Sequence, residues 1–251
     1  MRIAIVQGPS PAGATDRALA SLRQALSAAA AAGAQLTVFP ELYLPGYNVP
    51  DPAVGARSAA EWDTLLGPLA TDTACALAVG VAERDGDALY NSALVWGVGG
   101  ERLALYRKTQ LFGAREKHHF TRGDRLVTFV VAGMPAALLI CYDIEFAPLV
   151  AELAARGTRL IVCPTANMLP FTHVPAITVP SQAVNHAVAV AYANHCGTEG
   201  DLTYSGGSCL VGADGIFLAQ AGPGPALLIA DILPTDPARL STQVADFRPV
   251  E

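Results

Sequence analysis

Three side chains spread along this 251-residue sequence have complementary chemistry: a thiol, Cys141 in "LLICYDIEF", a carboxylate, Glu41 in "TVFPELYLPGY", and an ammonium, Lys108 in "LYRKTQLFGAREKHHF". Each stands at or just beyond the end of an apolar run. A thiol placed where a buried strand ends and a helix begins meets outward-pointing backbone N–H groups, which favour a thiolate and a developing oxyanion alike. A carboxylate partly shielded from water has a raised pKa and can take the thiol proton as a general base. Lysine has only donors, so it can hold the negative oxygen of a tetrahedral intermediate. Taken singly, each residue also has an ordinary reading. Free cysteines are mostly buried and inert, and a loop carboxylate, or a lysine beside an arginine such as Arg107, is mostly a solvated group.

The elements that would have to position this set are short and strand-like. "RIAIVQ", "QLTVF", "CALAVGVAE", "SALVWG", "RLALYRK", "LVTFVV", "PAALLICY", "RLIVCP", "AVAVAYAN", "SCLVG" and "ALLIADI" recur along the whole chain. Several, "RLIVCP" and "ALLIADI" among them, are apolar at consecutive positions, the pattern of strands covered on both faces. Helices are expected over 14–32, where Thr15 or Asp16 can cap the start and Gly33 marks the stop, over about 146–155, and over about 179–187. Mixed strand pairs and helices, without strict alternation, predict an α/β sandwich in which helices cover sheets. No low-complexity linker or short repeat divides the chain, and one domain over 1–251 is expected, with a polar, proline-bearing tail from about 234 that packs on a neighbour or is loose.

Composition excludes several classes. Hydrophobic residues make up 52% of the chain and charged ones 15%, enough apolar material for a large core. The uncharged run 126–142 is 17 residues long and is interrupted by Gly133, Met134 and Pro135, whereas a spanning helix needs roughly 20 apolar residues. The opening "MRIAIVQGPSPAG" has too short an apolar stretch for a secretory signal, so the expected compartment is the cytoplasm. Five cysteines, Cys75, Cys141, Cys163, Cys196 and Cys209, are an odd count without paired spacing, the pattern of reduced thiols. A net charge of −6 with no basic tract argues against nucleic acid.

The segments "FPELYLPGY", "YRKTQLF" with Glu116 eight positions after Lys108, and "LLICYDIEF" together resemble the three signature segments of the nitrilase superfamily of carbon–nitrogen hydrolases. The order matches, and the resemblance extends through "YNSALV", "RLIVCPTANMLP" and "AYANHCG". Within the superfamily the chain looks most like short-chain amidases of the 5-aminopentanamidase and broad aliphatic-amide type. The resemblance implies a four-layer αββα sandwich, paired through its outer helices into a homodimer or higher homo-oligomer, and a small-molecule amide as substrate. It assigns Cys141 as nucleophile, Glu41 as general base, Lys108 as oxyanion stabiliser and, on resemblance alone, Glu116 as the further glutamate that positions substrate and lysine. Phe112, Tyr142 and Asn167 would line the substrate pocket. No metal or other cofactor is needed for a thioester route of this kind. Relatives that act on nitriles, N-carbamoyl amino acids or dicarboxylate monoamides share the same catalytic set. A carboxylate-bearing substrate would call for a cation such as Arg115 or Lys117, and a non-catalytic binding protein on the same fold is the rival from another class. One segment departs from the pattern: after the cysteine, "EFAPLV" moves the proline to Pro148 and lacks the usual acid, which leaves the following helix start less well satisfied.

Other residues carry weaker signals. Asn167 can bond substrate or brace its loop, and Tyr47, under the Pro-Gly turn of "LPGYN", reads equally well as a packed aromatic. His118, His119, His173, His186 and His195 show no metal-binding spacing. Neighbours on a strand point to opposite faces, so His195 and Cys196 do not form a pair.

Overall fold

Apolar runs joined by amphipathic stretches give this chain two halves of similar design. The computed structural model describes residues 1–248. The first half contains β1 (Arg2–Gln7), α1 (Thr15–Ala31), β2 (Leu36–Val38), α2 (Ala59–Thr73), β3 (Ala76–Asp85), β4 (Ala88–Trp96), β5 (Arg102–Arg107) and the short α3 (Gly113–His119). The second contains β6 (Thr128–Val131), β7 (Met134–Leu138), α4 (Ala147–Ala155), β8 (Leu160–Pro164), α5 (Val179–His186) and β9 (Ala189–Ala193). There follow β10 (Cys196–Glu199), β11 (Leu202–Ser205), β12 (Cys209–Val211), β13 (Phe217–Gln220), β14 (Ala226–Asp231) and α6 (Gln243–Asp246).

One six-stranded sheet has the order β14-β1-β2-β3-β4-β5 and the other β13-β12-β9-β8-β7-β6, with β10 and β11 as a separate ribbon. The parallel pairs are β1 with β2, β2 with β3, β7 with β8 and β8 with β9. Parallel neighbours require a crossover connection, and α1, α2, α4 and α5 supply the four. The sheets pack face to face with α1 and α2 outside one and α4 and α5 outside the other, a four-layer αββα sandwich in a single domain.

Side-chain alternation builds the layers. Ile3 and Ile5 of β1 face the second sheet, and Ala4 and Val6 face the helices. On β3, Ala76 and Ala78 face inward and Leu77, Val79 and Val81 outward; on β4, Ala93 and Val95 face inward and Leu94 and Trp96 outward. Small residues on the inner faces let the sheets approach, and coverage on both sides explains why the strands read as continuous apolar runs. Helix α1 contributes Leu19, Leu22, Leu26 and Ala29, a single stripe at helical spacing.

Helices α1, α4 and α5 fall where the sequence places them, but the expected cap does not form. The N-cap of α1 is Ala14, without a side-chain bond, and Asp16 instead sits in the first turn, where its charge favours the helix dipole. Helix α2 escapes a sequence reading because Gly67 and Pro68 interrupt it. Its start is fixed by a reciprocal Ser58–Glu61 capping box, and it is anchored by the buried Trp62, whose Nε1 donates to the Ala82 carbonyl at 3.0 Å. Helix α4 has no acid in its first turn and no side-chain cap, as the departure in "EFAPLV" implies. Strands β10, β11 and β13 are short and partly polar, and gave no distinct apolar run. "ALLIADI" is covered on both faces only in part: β14 lies at a sheet edge, Leu228 and Ala230 packing on the inter-sheet core and Ile229 on the helix side, with its residues half-buried or exposed. The tail forms only a turn at Pro237–Arg239 and α6, and residues 249–251 of the expected domain lie outside the described residues. Among the described residues no helix is long and apolar enough to cross a membrane.

Candidate active site

Glu41 sits two residues beyond Phe39 at the exit of β2, in a loop held on both sides. Its N–H donates to the Thr165 carbonyl at 3.3 Å, and the Gly80 N–H donates to the Pro40 carbonyl at 3.1 Å. Gly80 is required there: a Cβ would lie 2.5 Å from the Glu41 Cα and 2.5 Å from the Leu42 nitrogen. Lys108 follows β5, its N–H bonded to the Asn91 carbonyl of β4 at 2.9 Å. Antiparallel pairing of β4 with β5 thus places the Asn91 and Lys108 side chains together.

These side chains meet in a fully buried charged cluster. Lys108 Nζ donates to Glu41 Oε1 and to Glu116 Oε1, each at 2.7 Å. Asn91 Nδ2 also donates to Glu41 Oε1 at 2.7 Å. Glu116, on α3, receives the Tyr47 hydroxyl on Oε1 at 2.7 Å and the Phe112 N–H on Oε2 at 2.9 Å. Glu41 Oε2 is buried and has no hydrogen-bond partner among the described residues. One carboxylate oxygen is therefore fixed and the other is open to exchange a proton.

Cys141 begins a tight 3-10 turn, Cys141–Glu145, directly after the buried Leu139 and Ile140. Its φ of +47° is left-handed, a conformation that costs a non-glycine residue of order 1–3 kcal/mol and persists only where the surroundings impose it. Asp143 imposes it. This buried carboxylate accepts from the Ile140 N–H at 3.1 Å, the Gln110 N–H at 2.8 Å, Thr109 Oγ1 at 2.9 Å and the Tyr106 hydroxyl at 2.9 Å, tying the turn to the segment after Lys108.

The electrostatics follow from burial. Burial raises the Cys141 thiol well above its ordinary pKa, the nearby Glu41 carboxylate pushes it further, and Lys108 pulls it back in part. At rest the sulfur carries its proton and needs a base. Burial also raises Glu41, against the pull of Lys108, which makes it a stronger base than an ordinary glutamate. For Lys108, burial alone would lower the pKa, but Glu116 and Glu41 outweigh it and the net shift is upward, so the group stays an ammonium.

Cys141 opens onto a cavity of about 260 Å³ lined in part by Phe112, Tyr142, Glu145, Asn167 and His173. The Phe112 and Tyr142 rings meet edge to face at 5.3 Å. The structure thus brings Phe112, Tyr142, Asn167 and Cys141 to one cavity, and it packs Glu41 and Lys108 near enough to the Cys141 thiol to act on it, with Glu116 bonded to Lys108. Asn167 also braces its loop, Nδ2 donating to the Phe171 carbonyl at 2.9 Å and to Ser205 Oγ at 3.0 Å. Arg115 and Lys117 do not line the cavity, and the Arg115 guanidinium is bonded to the Val49 carbonyl.

Residues 2–237 match the carbon–nitrogen hydrolase family. The chain belongs to that family. A relative described as "Hydrolase in pqqF 5'region", from Pseudomonas protegens, is 36% identical over 257 residues, 99% of this chain and 90% of that protein. An (R)-stereoselective amidase of Pseudomonas sp is 32% identical over 231 residues, 88% of this chain and 81% of that protein. A solved structure of a mutant amidase from Nesterenkonia sp. AN1 shows covalent addition of the acetamide moiety of fluoroacetamide at its active-site cysteine. It is similar to this chain at 36% identity and a TM-score of 0.89, covering 99% of this chain and 94% of that one. The family read from three short segments is the family that the whole hydrolase matches, and the chain is an enzyme acting on carbon–nitrogen bonds.

Four residues of this hydrolase site carried no assigned role in the sequence. Asn91 lies in an apolar strand, where a buried amide needs a partner, and that was a readable signal. Asp143 sits two positions after the cysteine. Tyr47 turns out to hold Glu116. His195 is buried behind Glu41, with Nε2 2.8 Å from the Glu41 carbonyl, while Cys196 takes no part. His195 lies in the gap between β9 and β10 and not on a strand, so the strand argument about a His195–Cys196 pair does not apply to it, and that argument also overlooked a role for the histidine alone.

Proposed function

We propose that this hydrolase cleaves small aliphatic carboxamides to the carboxylate and ammonia through a thioester on Cys141. The observation that carries the reading is the dry Glu41–Lys108–Glu116 cluster beside a strained thiol that opens onto a small cavity. Glu41 removes the Cys141 proton as sulfur attacks the amide carbon, forming the C–S bond. The oxyanion is held by the Lys108 ammonium and by the Tyr142 N–H, which has no backbone partner among the described residues. Glu41 passes its proton to the leaving nitrogen, the C–N bond breaks and ammonia departs. Glu41 then takes a proton from water, whose oxygen attacks the thioester, and returns it to the departing thiolate. The acid leaves and the enzyme is restored.

The cavity volume favours short acyl groups, since drug-sized pockets run from about 300 Å³ upward. The same reading takes the enzyme as a cytoplasmic homodimer joined through α4 and α5. Ala147, Pro148 and Ala151 of α4 and Asn185 and His186 of α5 border an open groove there with Gln243 and Phe247 of the tail. The decisive experiment is an intact mass spectrum after brief mixing with acetamide, propionamide and butyramide, alongside ammonia release. An acyl adduct is expected on Cys141, absent from Cys141→Ala. Well-folded protein that neither releases ammonia nor gains an adduct from any amide would overturn the reading.

A further inference from the structure

The cavity above Cys141 has an asymmetric charge. Glu145, at the end of the same 3-10 turn, lines it, together with His173, and no lysine or arginine does among the described residues. The Glu145 carboxylate is half-buried and, among the described residues, is held by neither an ion pair nor a hydrogen bond; burial raises its pKa, and the nearby His173 and Lys108 side chains pull it back in part. Lys108 is already shared between Glu41 and Glu116 and lies beneath the reacting centre, so it has no donor to spare for a distal group of the substrate. The rest of the lining is uncharged: Phe112 stacks edge to face on Tyr142 at 5.3 Å and on Phe171 at 5.9 Å, beside Met168 and Asn167, whose Nδ2 already donates to the Phe171 carbonyl and to Ser205 Oγ. A carboxylate entering on the far end of an amide would lose water against these rings and come to rest beside a second carboxylate, with one imidazole as its only counter-group.

We propose that Glu145 is a charge filter in the acyl pocket, which restricts the enzyme to amides whose acyl chain carries no negative charge and turns away the monoamides of dicarboxylic acids. The inference rests on the amide-hydrolase reading above and adds to it a specificity-determining residue. It also explains why the two candidate cations read from the sequence do not matter: Arg115 is engaged by the Val49 carbonyl, Lys117 is exposed on α3, and neither reaches the cavity.

The test compares kcat/KM for pentanamide with that for glutaramate, which replaces the terminal methyl by a carboxylate. Wild-type enzyme is expected to favour pentanamide by well over tenfold, and rising salt should shrink that ratio by screening. Glu145→Gln is expected to lower the ratio by about tenfold, the factor that corresponds to about 1.4 kcal/mol, and Glu145→Lys to lower it further. Taking the ratio cancels any general loss of activity in the variants. Equal use of both substrates by wild-type enzyme overturns the filter, as does a ratio that Glu145→Gln leaves unchanged. If the variants do not fold, the salt dependence of the wild-type ratio decides, and a salt-independent ratio overturns it. Failure of the amide reading looks different: pentanamide is then not cleaved and no acyl adduct forms on Cys141.

Discussion

Replacing Lys108 by methionine keeps a four-atom chain and removes one charge. Its effect on stability should depend on pH in a way that the buried cluster dictates. Lys108 Nζ lies 2.7 Å from a carboxylate oxygen of Glu41 and of Glu116, and all three side chains are essentially inaccessible to water. At an effective dielectric of about 20, each contact carries roughly 6 kcal/mol of attraction before desolvation is subtracted. Breaking a buried pair by removing one partner typically costs about 3–5 kcal/mol, because the other charge stays buried. Lys108→Met should therefore lose about 3–5 kcal/mol at pH 7.5. The sign with pH follows from Glu41, which burial raises and Lys108 pulls down. Without the lysine its folded-state pKa rises further above the unfolded value. A group of this kind adds stability that is fully present below the unfolded pKa and lost as pH rises through the folded one. The deficit should accordingly shrink as pH falls from 7.5 toward 5. Urea denaturation of both proteins at the two pH values measures it, and the m-value checks that both unfold alike. Turnover should fall by about 10²–10³ through loss of the oxyanion donor. A variant as stable as wild type at pH 7.5, or one with the same deficit at both pH values, refutes the picture of a cation holding two buried carboxylates.

Three further changes probe the frame around the cluster. Gly80→Ala puts a Cβ 2.5 Å from the Glu41 backbone, so overpacking should cost about 1–3 kcal/mol and kcat should drop more than tenfold with KM little altered, as steady-state kinetics and thermal melts will show. Asp143→Asn replaces one carboxylate oxygen by an NH2 that faces two of the four existing donors; a stability loss of about 1–3 kcal/mol and slower alkylation of Cys141 by iodoacetamide are expected, and unchanged alkylation would count against a turn held by this carboxylate. Tyr47→Phe leaves Glu116 with one donor fewer on Oε1, which should destabilise the fold by about 1–2 kcal/mol and lower kcat, measured by urea denaturation and ammonia release.

What the sequence displays and what it hides in this enzyme separate along a physical line. Glu41, Lys108 and Cys141 are legible because each stands at or just beyond the end of an apolar run, and a sheet delivers strand ends to its rim whatever the details of its register. The layers are legible for a related reason, since strands covered on both faces leave unbroken apolar runs. The groups that orient these three are hidden because their partners come from register and loop closure. Asn91 reaches Glu41 across 50 residues, and His195 reaches the Glu41 carbonyl across 154. Helix α2 is hidden because Gly67 and Pro68 break its pattern, although the Ser58–Glu61 box marks its start. Glu145 lies between the two kinds. It is visible in "LLICYDIEF" as one more acid after the cysteine, but only the 3-10 turn shows that it faces the cavity while Asp143, two positions earlier, faces the protein. Two carboxylates in one short turn thus divide the work. The buried one, surrounded by four donors, fixes Cys141 in its left-handed conformation. The unpartnered one is left to meet whatever enters the cavity, and for that reason substrate charge, more than substrate length, is where this enzyme should differ from relatives that share its catalytic set.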